Sequence, residues 1–99
     1  MRIGTTPTHQ FTLPFEVDRI SAIEITYAQR GQVILTVTEE DCTMQGQTVQ
    51  VTLGQEDTFA FAQDINVDIQ LRVKDINGTV FASDILTVSC QRCLSDEVI

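Results

Sequence analysis

The single histidine, His9, is the first residue to consider for chemistry, because imidazole is the side chain most often used as a general base. A catalytic triad or a Cys/His pair needs such a base within hydrogen-bond reach of a nucleophile. His9 lies between Thr8 and Gln10 at the start of the first predicted strand, where we expect it on the surface of an edge strand. The sequence therefore predicts no catalytic residue, and we expect a protein that is not an enzyme.

The three cysteines, Cys42, Cys90 and Cys93, form one Cys-x-x-Cys pair and one distant thiol. Redox-active versions of this motif begin a helix, whose dipole lowers the thiol pKa, but no helix-forming run follows Cys93. A structural zinc site needs four ligands, and only Cys42 and His9 could complete one here. Three alternatives stay open: structural thiols, a disulfide between Cys90 and Cys93, or a metal site. We expect structural thiols, with Cys90 buried by the alternation of the last strand, and predict no metal and no cofactor.

Carboxylates occur in the runs Glu39–Asp41 and Glu56–Asp57 and at Asp64 and Asp68. Calcium loops and glycosidase pairs both need carboxylates that converge on one point. The sequence has no EF-hand spacing, and 99 residues leave little room for a deep cleft. We therefore expect these side chains to lie in solvated turns and on charged sheet edges.

The overall charge excludes two classes of partner. Fourteen acidic and six basic side chains give a formal net charge of −8. Such a surface repels phosphate backbones and anionic headgroups, so we expect neither nucleic acid nor a membrane as a partner. No segment approaches the roughly 18 consecutive apolar residues of a membrane helix, and Met1–Pro7 lacks the apolar run of a secretory signal. We expect the protein in the cytoplasm of the producing cell.

Alternation with a period of two is the main structural signal, and it is clearest over Ile65–Lys74. Apolar residues hold the odd positions of this segment and polar residues hold the even ones, as in a half-buried antiparallel strand. Asp75–Gly78 contains an Asn-Gly pair, which predicts a hairpin turn. Gly54–Phe59 is the one candidate for a helical turn, and Glu39–Gln47 reads as turn material. Seven strands are predicted, around Phe11–Phe15, Ile23–Tyr27, Val33–Thr38, Val49–Leu53, Ile65–Lys74, Thr79–Ala82 and Ile85–Cys90.

This spacing predicts an all-β protein with one domain over residues 1–99. The expected architecture is a seven-stranded antiparallel β-sandwich of the immunoglobulin-like kind, with a small β-barrel as the second choice. Residues 1–8 are expected to form an N-terminal arm and residues 91–99 a C-terminal tail, because both lie outside the main alternating segments.

Four segments of the chain carry a resemblance: GTTPTHQFTLPF at 4–15, ITYAQ at 25–29, LGQEDTFAF at 53–61 and CLSDEVI at 93–99. Together they resemble a group of small uncharacterised β-rich proteins encoded by tailed phages and prophages of anaerobic gut bacteria. The resemblance implies a virion structural or assembly protein, located in the virion or in the cytoplasm of the bacterial host during assembly. It brings no catalytic or binding residues with it.

Without catalytic residues, a small β domain acts through contacts made by its sheet edges and loops. We therefore expect protein–protein contacts with other phage structural proteins, or self-association through an edge strand. The candidate surfaces are the arm Arg2–Thr8, the tail Cys93–Ile99 and the first strand, where Thr8, Gln10 and Thr12 carry no charge.

A ligand-binding module, for example for a host-surface carbohydrate, is the alternative function. Such sites stack sugar rings on exposed aromatic side chains. The sequence has no Trp and one Tyr, and Tyr27 shares the parity of the apolar residues Ile23 and Ile25. The composition therefore favours protein–protein contacts over carbohydrate binding.

Overall fold

The computed structural model describes residues 1–99, which form eight β-strands and one short α-helix. The all-β prediction is confirmed. The helix α1 (Gln55–Phe59) and two 3-10 turns, Val17–Arg19 and Glu39–Asp41, lie in the connections. The strands are β1 (Thr8–Thr12), β2 (Ile20–Gln29), β3 (Gln32–Thr38), β4 (Cys42–Gln45), β5 (Thr48–Thr52), β6 (Val67–Asp75), β7 (Val80–Ala82) and β8 (Leu86–Val88).

The strands form two antiparallel sheets. One has three strands in the order β1-β5-β4. The other has five strands. Its spatial order is β3-β2-β6, and both β7 and β8 pair with the side of β6 that faces away from β2. The sheets do not close on each other, so the molecule has a sandwich-like form with open edges and is not a barrel.

Alternation along the strands builds the core between the two sheets. On β6 every second side chain from Val67 to Val73 is buried, as the sequence predicts. On β2 the same period buries Ile23, Ile25 and Tyr27. The inner faces meet in one cluster of 15 buried residues. Each large apolar side chain in such a core contributes about 1.5–3 kcal/mol of transfer free energy, which makes this cluster the main source of stability.

The structure has eight strands, whereas the sequence predicts seven, and the extra one is β4. Cys42–Gln45 lies inside the segment interpreted as turn material. It pairs with β5 through Cys42 opposite Val51 and Met44 opposite Val49. A strand of four residues with only two apolar side chains gives no alternation strong enough to predict it, so pairing with β5 decides its conformation.

The two predicted strands after the Asp75–Gly78 turn lie end to end along one side of β6. Arg72 lies opposite Ala82 and Ile69 opposite Leu86, so three steps along β6 correspond to four steps along β7 and β8. The extra residue is a β-bulge at Ser83–Ile85, and it separates one edge strand into two short pieces.

The N-terminal segment is attached to the domain. Ile3 is buried, and its N–H donates to the Gln91 carbonyl at 3.0 Å. The Gln91 N–H in turn donates to the Met1 carbonyl at 2.8 Å, and Thr8 already belongs to β1. The C-terminal segment differs, because Leu94 is 96% exposed and Ile99 is fully exposed. The apolar side chain of Ile3 is therefore part of the core, while those of Leu94 and Ile99 are not.

Candidate interaction surface

His9 lies on an edge strand, as expected, but the expected surface position is wrong, because its side chain is half-buried on the inner face of β1. Its Nδ1 lies 2.7 Å from the hydroxyl oxygen of Tyr27 on the opposite sheet. Burial, followed by the positive charge of the N-terminus, lowers the pKa of His9. Burial also raises the pKa of Tyr27, with smaller contributions from Cys42 and Asp57. The Tyr27 hydroxyl therefore keeps its proton, and its hydrogen bond with His9 joins the two sheets.

The three thiols are free. Cys90 is buried, as predicted, and burial raises its pKa above the ordinary value. Burial and then the charges of Asp41 and Glu39 raise the pKa of Cys42, whose Sγ lies 3.3 Å from the Thr38 carbonyl. A raised pKa keeps a thiol protonated and a poor nucleophile. The structure contains no group of three or more His, Cys, Asp or Glu side chains placed to hold a metal ion.

Several carboxylates in or beside the connections accept hydrogen bonds from backbone N–H groups. Asp57 accepts from Gly54 at 2.8 Å and so caps α1. Asp75 accepts from Asn77 and Thr79, both at 2.9 Å, which fixes the hairpin. Glu39 accepts from Ile23 at 3.0 Å, and this bond lowers its pKa. These carboxylates have structural roles in the turns, as the sequence suggested for the acidic residues.

Three of the four sheet edges carry a feature that hinders pairing with another chain. The edge of β3 is bulged, since the register with β2 shifts between Tyr27 and Ala28. The edge of β4 is only four residues long and follows the acidic turn Glu39–Asp41. The edge formed by β7 and β8 has its own bulge, and the exposed Asp84 lies within it. Bulges, charges and short strands are the usual protections of natural edges.

The fourth edge, β1, is five residues long and has neither a bulge nor an acidic or basic side chain. Its register with β5 is regular from Thr8 opposite Thr52 to Thr12 opposite Thr48. Leu13 N–H donates to the Gln47 carbonyl, so the odd-numbered residues of β1 make the bonds to β5. The N–H and C=O groups of Thr8, Gln10 and Thr12 consequently point away from the sheet. They form an uncharged, unpaired edge.

Beneath this edge lies an apolar groove between the two sheets. It is lined by Phe11 and Leu13 from the β1 side and by Leu71, Val73 and Phe81 from the other sheet. Several apolar side chains around the free edge of the larger sheet are exposed. Phe81 is 44% exposed, Ile85 61% and Leu86 56%. We call the β1 edge, this groove and these three exposed side chains the open side.

The outer face of the three-stranded sheet consists of threonine and glutamine alone, and we call it the Thr/Gln face. Its rows follow the strand register, with Gln10 beside Gln50 and Gln50 beside Thr43. The hydroxyls of Thr8 and Thr52 lie 2.8 Å apart. The outer face of the five-stranded sheet is different, since it carries charges that include the Glu24–Arg72 ion pair. The members of the Thr/Gln face are Thr8, Gln10, Thr12, Thr43, Gln45, Thr48, Gln50 and Thr52.

The structure brings β1, one of the surfaces expected from the sequence, to the same side of the molecule as the edge of β7 and β8, which was not expected. It places Ile3 of the arm inside the core. Sequence reasoning missed the Thr/Gln face, because two of its residues lie on the unpredicted strand β4. It also missed the exposed Phe81 and Leu86, whose parity matches core positions. The odd parity that His9 shares with Phe11 and Leu13 was the signal for its inward orientation.

No protein-family model, no curated protein and no solved structure matches this chain. None of its helices is long and apolar enough to cross a membrane.

Proposed function

We propose that this protein is a non-enzymatic phage or prophage virion protein, structural or assembly-related, that acts through protein–protein contacts on the open side. The resemblance of its sequence supports the phage context, with the virion or the host cytoplasm during assembly as the location. Other phage structural proteins or further copies of the chain are the proposed partners. The open-edged arrangement of two sheets with a helical corner at α1 is also consistent with an immunoglobulin-like architecture to which β4 adds a strand.

The single observation that carries this proposal is the unprotected β1 edge beside exposed apolar side chains. A backbone edge can accept an added strand, while neighbouring apolar side chains supply affinity and selectivity. Phe81 and Leu86 lie at the rim of the open side and are about half exposed. An isolated domain protects such an edge, whereas a subunit of a larger assembly covers it with its neighbour.

A photo-crosslinking amino acid placed at position 81 tests the proposal in cells that produce particles. The matched control carries it at Val33, which is 58% exposed on the opposite edge of the same sheet. We expect the protein in purified particles, and we expect position 81, but not position 33, to crosslink to a virion protein or to a second copy. Absence from the particles, or equal crosslinking from both positions, would contradict the proposal.

The Thr/Gln face favours a second candidate, a module that binds a neutral polar ligand such as a carbohydrate. Threonine and glutamine offer both donors and acceptors without charge. Gln10, Thr43, Gln45, Thr48 and Gln50 line a shallow depression in the middle of the face. No aromatic side chain lies there to stack on a sugar ring. Saturable binding on a glycan array that survives high salt and is lost in Gln50→Ala would favour this candidate over the first.

A further inference from the structure

The β1 edge is complementary to itself, and we propose that it joins a second copy of this chain in an antiparallel β1–β1 ladder centred on Gln10. This inference rests on the proposed function, because it names one partner for the open side. A two-fold axis through Gln10 places Thr8 of one copy beside Thr12 of the other. The two three-stranded sheets then become one six-stranded sheet with a continuous Thr/Gln face.

The backbone pattern of β1 satisfies the requirement of this ladder. In an antiparallel sheet, directly opposed residues exchange both hydrogen bonds when their N–H and C=O groups face each other. Thr8, Gln10 and Thr12 have these groups on the free side, since the odd-numbered residues bond to β5. With the axis at Gln10, each of the three residues lies opposite one of the same three in the second copy. Every free N–H on this edge therefore has an acceptor.

A proline limits the register. Pro14 is the next even-numbered residue after Thr12, and it has no N–H to donate on the free side of the strand. Moving the ladder by two residues leaves one of the three residues without a partner at each end. The register centred on Gln10 is therefore the one that pairs all the free groups of the edge.

Charge also favours β1 as the contact between two copies. Each copy carries a net charge of −8, so two copies repel each other, and a neutral contact surface adds least to this repulsion. The opposed side chains of the ladder would be Gln10 with Gln10, and Thr8 with Thr12. All of them are neutral and able to hydrogen-bond each other across the strands.

The second layer of the sandwich adds apolar contacts. Tyr27, Ile69 and Leu86 form one row across the larger sheet, and the Tyr27 hydroxyl contacts His9 near the start of β1. Leu86 thus lies near the beginning of β1. Phe81 lies beyond its end, since its ring packs 5.4 Å from that of Phe15. A two-fold axis reverses the strand direction, so Leu86 of one copy faces Phe81 of the second copy.

Asp84 opposes the same association. It lies in the bulge between β7 and β8, next to Ser83, which lines the groove with Gln10. The axis through Gln10 therefore brings the two Asp84 carboxylates towards each other. Screening by salt reduces this repulsion and that of the whole surface.

The contact is also small compared with the roughly 1,600 Å² of a standard interface. We expect a weak dimer that forms at high protein concentration and is strengthened by salt.

Charge variants at the axis test the inference by sedimentation velocity at about 50 mM and about 500 mM salt. Gln10→Glu and Gln10→Lys each place like charges opposite each other, and each should weaken the dimer about fivefold or more. An equimolar mixture of the two variants should restore it as a mixed dimer. Gln50→Glu and Gln50→Lys are the matched controls, since Gln50 is the neighbour of Gln10 on the same face but lies away from the edge. These controls should dimerise like the unchanged protein.

A monomer at high concentration in both salts would overturn the self-pairing, and so would equal weakening by the variants of Gln10 and Gln50. In either case, the crosslinks from position 81 still test the proposed function separately. Crosslinking to a different virion protein would keep that function with another partner. Circular dichroism of each variant confirms that it is folded before its sedimentation is interpreted.

Discussion

His9 on the edge strand β1 and Tyr27 in the middle of the opposite sheet are joined by a hydrogen bond of 2.7 Å between Nδ1 and the hydroxyl oxygen. Their rings are 5.5 Å apart between centroids, and the Tyr27 ring also meets Phe61 at 6.0 Å. The only histidine of the chain therefore links the candidate binding edge to the core. Because β1 has one strand neighbour, this link is an important part of its attachment to the domain.

Stability is expected to depend on pH through His9. Burial lowers its pKa below the ordinary value of 6.5, so the unfolded chain binds a proton more readily than the folded protein. The free energy of unfolding should therefore fall as the pH decreases from about 7.5 to about 5.5. Urea unfolding across this range measures the slope. His9→Gln should flatten it, and an unchanged slope in that variant would contradict the assignment to His9.

Gln29 is expected to be the polar residue whose loss costs most stability. It is 5% exposed at the end of β2. Its side chain donates to the carbonyls of Ala62 and Ile65 and accepts from the Ala62 N–H. Gln29→Leu leaves these backbone groups without partners, and we expect it to lower the free energy of unfolding by about 2–3 kcal/mol.

The matched control for that variant is Gln32→Leu, because Gln32 is exposed at the start of the next strand. Its effect should stay within about 0.5 kcal/mol, as is usual for surface positions. Urea denaturation measures both variants. Equal losses of unfolding free energy in the two variants would mean that the hydrogen bonds of Gln29 to Ala62 and Ile65 do not stabilise the protein.

Thr58 in α1 is fully buried and holds the N-terminal segment. Its hydroxyl accepts from the Gly4 N–H at 2.9 Å and lies within hydrogen-bond distance of the carbonyls of Thr5 and Gln55. Thr58→Val removes the hydroxyl at nearly constant volume, so we expect a loss of about 1–2 kcal/mol. Hydrogen exchange of the Gly4 amide should become faster. Thr58→Ser keeps the hydroxyl, and equally fast exchange in that variant would argue against this role.

The two ends of the chain are expected to respond differently to shortening. Removal of Leu94–Ile99 deletes exposed side chains and the contacts of Ile99 with Gln55, and it should change the melting temperature little. Removal of Met1–Ile3 deletes a buried side chain and the backbone bonds to Gln91, and it should lower the melting temperature by several degrees. Thermal unfolding followed by circular dichroism compares the two. A greater loss from the C-terminal deletion would contradict the structure.

The sequence alone determined the strands whose alternation is strong, together with the turns that join them. The apolar positions of Ile65–Lys74 are buried from Val67 onwards. The hairpin at Asp75–Gly78 is present, with Gly78 at a φ of +85°, and Cys90 is buried. These features were predictable because the side-chain period and the turn preferences are local properties of the chain.

The tertiary structure alone decided which edges are free and what lies beside them. β4 exists because β5 pairs with it, and Ile3 is buried because the first residues lie beside Gln91 near the other end of the chain. The Thr/Gln face and the open side join strands that are distant in sequence. Alternation assigns each side chain to one of two faces of its own strand, but it contains no information on which strands become neighbours. That order depends on long-range pairing and packing, and so does the position of the unprotected β1 edge.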